Sequence, residues 1–368
     1  MQFKRKKKPA IQSSFQPTNG HHHEHKNIWM MADAGICRYG EAVIQAHMAE
    51  FAQLDKLEVF NGVPTESLKK EQKRGVMPLI NLIKEKRCDK IKGRTVADGR
   101  RQSLIYIKDE ITSPTVLSDS LLMTLVIIVM EGRFVVTIDV PGAYLQTDMP
   151  DFVLVRVNGP SVDILCDINE RYTQYMIKEK RKHVIHLKLN KSLYECLKSA
   201  MPCYDLFSKT LVNLGFKING YDQCVANKII DGNQCTITWY VDDLEASHKD
   251  KSAVMKVLQE IEDTIKGYLT IETGPMQSFL GIDITFTQQG TVEIRMEKYV
   301  QECIDTFGKY LSRGATTPAQ MDIFIVSKDM VLLPDDRVDL FKHMVAKLLC
   351  ISKRCRLDIL LAVGFLCT

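Results

Sequence analysis

Short apolar or alternating stretches recur along this chain, and two of them end on carboxylates. Phe134-Val135-Val136-Thr137-Ile138 is a short β-branched run that reads as a buried strand, with Asp139 at its end just before Pro141-Gly142. Cys235 to Tyr240 alternates and is β-branched, and Leu244 follows the doublet Asp242-Asp243, so the two aspartates fall at a hairpin turn. Further strands are predicted at Phe152–Val157, Val184–Leu189 and Phe279–Phe286. Helical spacing marks Ala42–Leu57, Lys249–Ile265 and Tyr204–Leu214, the last closed by Gly215 as a C-cap. Ser120–Gly132 predicts another helix, capped by Ser118, Asp119 or Ser120. Its apolar stretch, Leu121–Met130, is too short to cross a bilayer and suits a buried core helix. No internal repeat is visible.

Composition narrows the class. With 368 residues, 45% hydrophobic and 26% charged, the chain has material for two or three subdomains with substantial cores. The net charge is +4, but Lys4-Arg5-Lys6-Lys7-Lys8 supplies five positive charges and leaves the remainder close to neutral. A nucleic-acid surface must therefore be local. Eleven cysteines without a Cys-x-x-Cys pair argue against a zinc ribbon or a compact disulfide framework and favour a reducing intracellular compartment. Residues 1–27 read as a disordered tail. Its basic cluster suits nuclear import, non-specific nucleic-acid binding or plain solvation, and His21-His22-His23-Glu24-His25 is either a metal-binding patch or low-complexity sequence. The charged start lacks a following apolar region, so it is not a secretory signal.

Adjacent carboxylates at a strand end repel each other and lose solvation, and a bound cation relieves both costs. A strand delivering Asp139 to a turn, with the Asp242-Asp243 hairpin downstream, suits in-line phosphoryl transfer by two divalent ions. Magnesium is the natural choice for hard oxygen ligands, with manganese as a possible substitute. On local grounds alone, a solvated turn explains the doublet and a turn or cap explains Asp139.

Longer motifs then follow in order. They are Lys92-Gly93-Arg94-Thr95-Val96-Ala97-Asp98-Gly99, Ser113-Pro114, Thr137-Ile138-Asp139-Val140-Pro141-Gly142-Ala143-Tyr144-Leu145 and Lys188-Leu189-Asn190-Lys191-Ser192-Leu193-Tyr194. Asn213-Leu214-Gly215-Phe216, Tyr221-Asp222-Gln223-Cys224, Tyr240-Val241-Asp242-Asp243, Phe279-Leu280-Gly281-Ile282-Asp283-Ile284 and Thr316-Thr317-Pro318 complete the series. This collinear set resembles the reverse transcriptase of copia-type LTR retrotransposons over roughly Ala42 to Thr368.

The resemblance implies an α+β, right-hand polymerase fold whose palm is an antiparallel sheet backed by helices. It divides the chain into a tail (1–27), fingers (28–133 and 161–203), palm (134–160 and 204–286), thumb (287–340) and the start of a connection (341–368). It makes Asp139, Asp242 and Asp243 the metal carboxylates, joined by the backbone carbonyl of Val140, and places two magnesium ions there. Lys92, Arg94, Tyr144 and Lys198 become nucleotide-binding residues. Among them, Tyr144 acts as a steric gate against a ribose 2′-hydroxyl, and Phe279–Ile284 becomes a primer-grip hairpin, with Phe279, Leu280 and Gly281 as the grip. Read without the family, Tyr144 is a packed core tyrosine, the Lys84–Arg101 basic run a solvated face and Phe279–Ile284 an ordinary buried strand.

The implied partners are an RNA or DNA template with primer and deoxynucleoside triphosphates, with no membrane. The implied setting is intracellular: a cytoplasmic virus-like particle, with possible nuclear entry. Integrase and RNase H parts of a parent polyprotein are not recognisable, and the apolar run at Thr368 reads as a fragment or a truncated copy. Three positions depart from the family pattern. Glu195 replaces a glycine, Lys198 a glutamine that positions nucleotide and template, and Cys203 a tryptophan. Two other readings stay open: a decayed or co-opted relic that only binds nucleic acid, and another metal-dependent phosphoryl-transfer enzyme such as a nuclease.

Overall fold

The computed structural model describes residues 30–31, 39–85, 90–100, 112–265, 268–308, 314–325 and 331–368. The basic cluster, the histidine-rich patch and the expected tail lie outside the described residues. In chain order the first elements are β1 (Met30–Met31), α1 (Glu41–Lys56), β2 (Phe60–Gly62), α2 (Lys70–Arg74), β3 (Met77–Glu85) and β4 (Ile91–Ala97). Next come α3 (Ser118–Glu131), β5 (Phe134–Asp139), β6 (Leu154–Asn158), α4 (Pro160–Ile168), β7 (Ile177–Glu179), β8 (Lys182–Leu189) and α5 (Ala200–Asn213). They are followed by β9 (Lys217–Ile218), β10 (Val225–Ile230), β11 (Asn233–Tyr240), β12 (Asp243–His248), α6 (Lys251–Ile265) and β13 (Thr270–Thr273). Last are β14 (Met276–Phe279), β15 (Ile282–Phe286), β16 (Val292–Arg295), α7 (Glu297–Phe307), α8 (Asp335–Arg354) and α9 (Leu360–Leu366).

The sheet that carries the aspartates is antiparallel throughout, in the order β13-β5-β12-β11-β10-β9. Strand alternation gives it two unlike faces. Val136 and Ile138 of β5, Leu244 and Ala246 of β12, and Ile237 and Trp239 of β11 point to one side. There they meet Cys203, Phe207 and Leu211 of α5 and Val254, Val257 and Ile261 of α6. Burial of each large apolar side chain in this layer stabilises by roughly 1.5–3 kcal/mol. Trp239 anchors it, with Phe207 edge-on at 5.4 Å and Tyr204 stacked at 6.1 Å.

The opposite face bears Asp139 and Thr137, then Asp243, Glu245 and Ser247, then Tyr240 and Thr238. Away from the carboxylate end it is buried, although polar. The small sheet β14-β15-β16 and helix α3 close over it. Gln277 donates its amide to the Val135 carbonyl at 3.0 Å, and Leu121, Leu125 and Ile128 pack with Val135, Phe279, Ile282 and Ile284.

A second body forms around the sheet β1-β3-β6-β8-β2, with β4 paired to β3 and β7 to β8. Its core joins Phe51 and Leu54 of α1, Val162 and Leu165 of α4, and Val155, Ile185 and Leu187 of the strands. At the C-terminal end, α7 and α8 meet through Cys303, Met344 and Ile351.

Three local expectations are corrected. Helix α3 is not buried all round: Met123, Val126 and Met130 are exposed at 64%, 50% and 80%, because only one stripe faces the sheet. None of Ser118, Asp119 and Ser120 caps it. The preceding residue is Leu117, whose amide donates to the carboxylate of the distant Asp222 at 2.8 Å, so a tertiary contact holds this entry. Phe279–Phe286 is not one strand: Leu280 and Gly281 adopt φ 52° and 73° and turn the chain into a hairpin, which is the form that the family resemblance implies for Phe279–Ile284. Two successive positive φ values are the type I′ pattern. The C-terminal glycines behave as expected. Gly132 is left-handed at φ 60° after α3, and Gly215 at φ 85° after α5. Among the described residues, no helix is long and apolar enough to cross a membrane.

Candidate active site

The antiparallel register of β5 and β12 sets Asp243 opposite Asp139, and β11 sets Tyr240 opposite Asp243. Directly opposed residues on neighbouring strands stand about 4.5–5.5 Å apart at Cα. Val241 and Asp242 alone form the turn between β11 and β12. The Asp242 carbonyl accepts the Val140 amide at 2.9 Å, which fastens the end of β5 to that turn. All three aspartates are thereby gathered at one end of the sheet. Val241 has φ 58°, the requirement of the first position in a type II′ turn, where glycine is favoured. A β-branched residue there carries strain on the order of 1–3 kcal/mol.

The electrostatics follow from this crowding. Burial pushes the Asp243 carboxyl up to about 6, helped by the charges of Asp242 and Asp139. The Asp242 carboxyl is also raised, mainly by burial and further by Asp139, while its own backbone amide and the cations Arg94 and Lys92 oppose the rise. Like charges held at close quarters in a partly desolvated site are the setting in which carboxylates bind hard divalent cations. The donor set therefore fits magnesium in kind. The proximity is one of backbone positions: among the described residues, no three His, Cys, Asp or Glu side chains are posed around one ion. The Val140 carbonyl accepts the Ala143 amide at 3.1 Å, and a carbonyl oxygen keeps a second lone pair.

Strand β4 brings the basic residues to the same place, since the charges of both Lys92 and Arg94 act on Asp242. Gly93 between them allows this approach to α1. A Cβ there would lie 2.7 Å from the Ala46 carbonyl oxygen, closer than side chains tolerate. Glu50 of α1 accepts the Thr95 amide at 3.0 Å and ties the strand down. Burial raises the Glu50 carboxyl, against the Thr95 hydrogen bond and the charges of Lys92 and Arg94.

The Arg94 guanidinium lies 3.8 Å from the centre of the Tyr194 ring. Tyr194 in turn meets Tyr144 edge-on, with ring centres 5.6 Å apart and planes at 78°. Tyr144 stands on a single 3₁₀ turn, Ala143–Gln146, entered through Gly142 at φ 70°. Burial raises both phenols, Tyr194 to about 12, and in each case the Arg94 charge pulls the other way.

The remaining predicted residues are spread more widely. Phe279 is buried in the α3 contact, and Leu280, on the turn, lines a small cleft with Tyr240, Leu121 and Arg354. Lys198 reaches Asp151 at 3.4 Å. Cys203 is buried in the core, and burial, then the Asp242 charge, pushes its thiol up to about 12. Glu195 adopts φ 61°, the left-handed conformation suited to a glycine. Its carbonyl also fills the space beside Gly99, where a Cβ would collide with it.

Two residues of this cluster had no predicted role. Tyr194 was visible only as the last residue of the Lys188–Tyr194 motif, and Glu50 only as a polar position on an amphipathic helix. Both act through contacts with β4, which local periodicity does not report.

The antiparallel sheet thus presents three aspartates beside a basic strand and a tyrosine. The family model "Reverse transcriptase (RNA-dependent DNA polymerase)" matches residues 80–321, more than half of the chain, and the protein belongs to that family. The expected α+β, right-hand polymerase fold accompanies that membership. Its relatives are copia-type. The "Retrovirus-related Pol polyprotein from transposon TNT 1-94" of Nicotiana tabacum is 25% identical over 69% of this chain and 19% of its own length. The "Transposon Ty1-ER2 Gag-Pol polyprotein" of Saccharomyces cerevisiae is 24% identical over 80% of this chain and 16% of its own. The chain thus spans less than a fifth of these relatives. A foamy viral protease-reverse transcriptase in complex with double-stranded DNA aligns over 81% of this chain and 38% of its own, at 14% identity and a TM-score of 0.41.

Proposed function

We propose that this chain is the RNA-directed DNA polymerase part of a copia-type retrotransposon Pol polyprotein, adding deoxynucleotides to a primer 3′ end on an RNA or DNA template. One observation carries the reading: Asp139 and Asp243 face each other across paired strands, with Asp242 in the adjoining turn and Lys92 and Arg94 in its field. The six-stranded sheet with α5 and α6 is the palm, the body around β3, β6 and β8 the fingers, and α7 with α8 lies in the thumb and the start of the connection; β6 pairs with β3 and β8, so it leaves the palm range 134–160 expected from the sequence.

Asp139, Asp242, Asp243 and the Val140 carbonyl would hold two magnesium ions. When bound, such ions activate a 3′-hydroxyl and neutralise the leaving pyrophosphate. The protein's own groups do the rest. Arg94 and Lys92 bind the triphosphate, the guanidinium with directional donors and the ammonium as a compact charge. Tyr144, held half-buried by Tyr194, crowds the sugar C2′ position and favours deoxyribose. The hairpin turn at Phe279-Leu280-Gly281 stands beside Tyr240 and positions the primer end. The compartment is that of the element's replication, a cytoplasmic particle.

A second reading, a relic that binds nucleic acid without synthesis, is favoured by three observations. Glu195 is held at φ 61°, Lys198 is engaged by Asp151, and Cys203 occupies a buried aromatic position of the family pattern. Primer extension on a poly(rA)–oligo(dT) duplex with magnesium separates the two. Extension by the wild type that is lost in Asp242→Asn supports the polymerase, whereas duplex binding without extension supports the relic.

A further inference from the structure

The polymerase reading uses Arg94 for the triphosphate and Tyr144 for the sugar, and leaves open how two separate elements keep these groups in register. Arg94 is on β4 and Tyr144 on the turn after β5, and no hydrogen-bonded ladder joins those strands. The residue between them is Tyr194. Its face receives the Arg94 guanidinium at 3.8 Å, and its ring meets that of Tyr144 at 5.6 Å. Its backbone is fixed as well, because the Tyr194 carbonyl accepts the Ala97 amide from β4 at 3.0 Å.

We infer that Tyr194 is a positioning residue that couples the triphosphate grip to the sugar gate: its ring holds the Arg94 guanidinium in place and props the Tyr144 ring against the sugar. The inference rests on the polymerase reading and deepens it.

Three physical points support the assignment. An arginine side chain has several rotatable bonds, and a cation stacked on an aromatic face loses much of that freedom before a ligand arrives. The guanidinium donates in its own plane, so a ring stacked on its face does not stand in the way of its N–H directions. An edge-to-face ring pair has a preferred angle, so moving the Tyr194 ring moves the gate. The charges around the pair are consistent with this. Asp242, Asp139 and Glu50 all act on the Tyr194 phenol, which puts the stack at the junction of α1, β4 and the aspartates.

The coupling belongs to the ring and not to the hydroxyl, which gives a test. The complex is the full chain on an RNA template–primer with a dideoxy-terminated primer and a templating U. Equilibrium affinities for dATP and ATP are read without turnover for the wild type, Tyr194→Phe and Tyr194→Leu, each also in an Arg94→Ala background. The expected result is that Tyr194→Phe keeps both the dATP affinity and the preference for dATP over ATP. Tyr194→Leu should weaken dATP binding by about tenfold and narrow the preference. In the Arg94→Ala background, Tyr194→Leu should then add little to the affinity loss but still narrow the preference.

The inference is overturned if Tyr194→Leu leaves affinity and preference unchanged, or if Tyr194→Phe loses as much as Tyr194→Leu. It is also overturned if the losses are fully additive with Arg94→Ala. A wild type that binds the duplex but neither nucleotide overturns the polymerase reading together with this one, and that failure appears in the wild type before any variant is compared. Should Tyr194→Leu not fold, Tyr194→Met takes its place, because it also fills the space of the ring without an aromatic face; the same results are expected of it, and the same results overturn the inference.

Discussion

Glu245 offers the sharpest quantitative test of the central sheet. It lies on β12 in the row Thr137–Glu245–Thr238, wholly buried, and its Oε2 finds no hydrogen-bond partner. Burial alone raises its carboxyl from 4.5 to about 8. Below pH 4.5 both the folded and the unfolded chain carry the proton, so Glu245 contributes no pH dependence there. Between 4.5 and 8 the folded chain keeps a proton that the unfolded chain has released, so stability falls as pH rises, and the loss is complete above 8. At 1.36 kcal/mol per pH unit, the loss is about 3 kcal/mol at pH 7 and about 5 kcal/mol beyond pH 8. Glu245→Gln keeps the shape and removes the titration. Urea unfolding between pH 4 and 9 should show the two proteins equally stable at the acid end and the variant increasingly more stable above pH 5. Parallel curves, or a variant that loses stability at neutral pH, would refute the assignment of an uncompensated buried carboxyl at this position.

Other consequences are quicker to state. Glu195→Gly removes an L-residue from φ 61° and should raise stability by about 1 kcal/mol in urea unfolding, whereas Glu195→Ala should not. Equal effects would show that the strain is absent. Gly93→Ala forces a methyl against the Ala46 carbonyl and should cost roughly 1–3 kcal/mol, with a matching fall in the unfolding midpoint; no change would mean that α1 and β4 part without cost. Asp139→Asn removes a neighbouring negative charge and should lower the Asp243 pKa from about 6, measured by carboxyl-carbon NMR titration. An unchanged value would contradict the register of β5 against β12.

The local pieces of the site were legible because their signals are local. A β-branched apolar run located β5, alternation located β11, and a carboxylate doublet after that alternating run marked the turn into β12. What the pattern could not report was register, and register is what sets Asp139 opposite Asp243. The same limit explains the misread segments. In Phe279–Phe286 the turn residue Leu280 is apolar, so alternation continued through a reversal of the chain. Helix α3 is apolar on every side, so its sequence did not say which stripe would be covered. Its entry is bonded by Asp222, from another part of the chain, which no cap motif encodes. Tyr194 is the clearest case, since its significance lies in the two aromatic and cationic neighbours that the fold delivers. Glu195 went the other way: its replacement of a family glycine was visible in the sequence, and its backbone is left-handed at φ 61°.

The central claim is that three aspartates from two chain segments form one catalytic site. Single-turnover primer extension with magnesium, comparing wild type with Asp139→Asn, Asp242→Asn and Asp243→Asn at equal duplex occupancy, tests it most directly. The account predicts extension by the wild type and a loss on the order of a thousandfold or more in each of the three variants. A wild type that extends while any one of the three variants keeps its rate would contradict it.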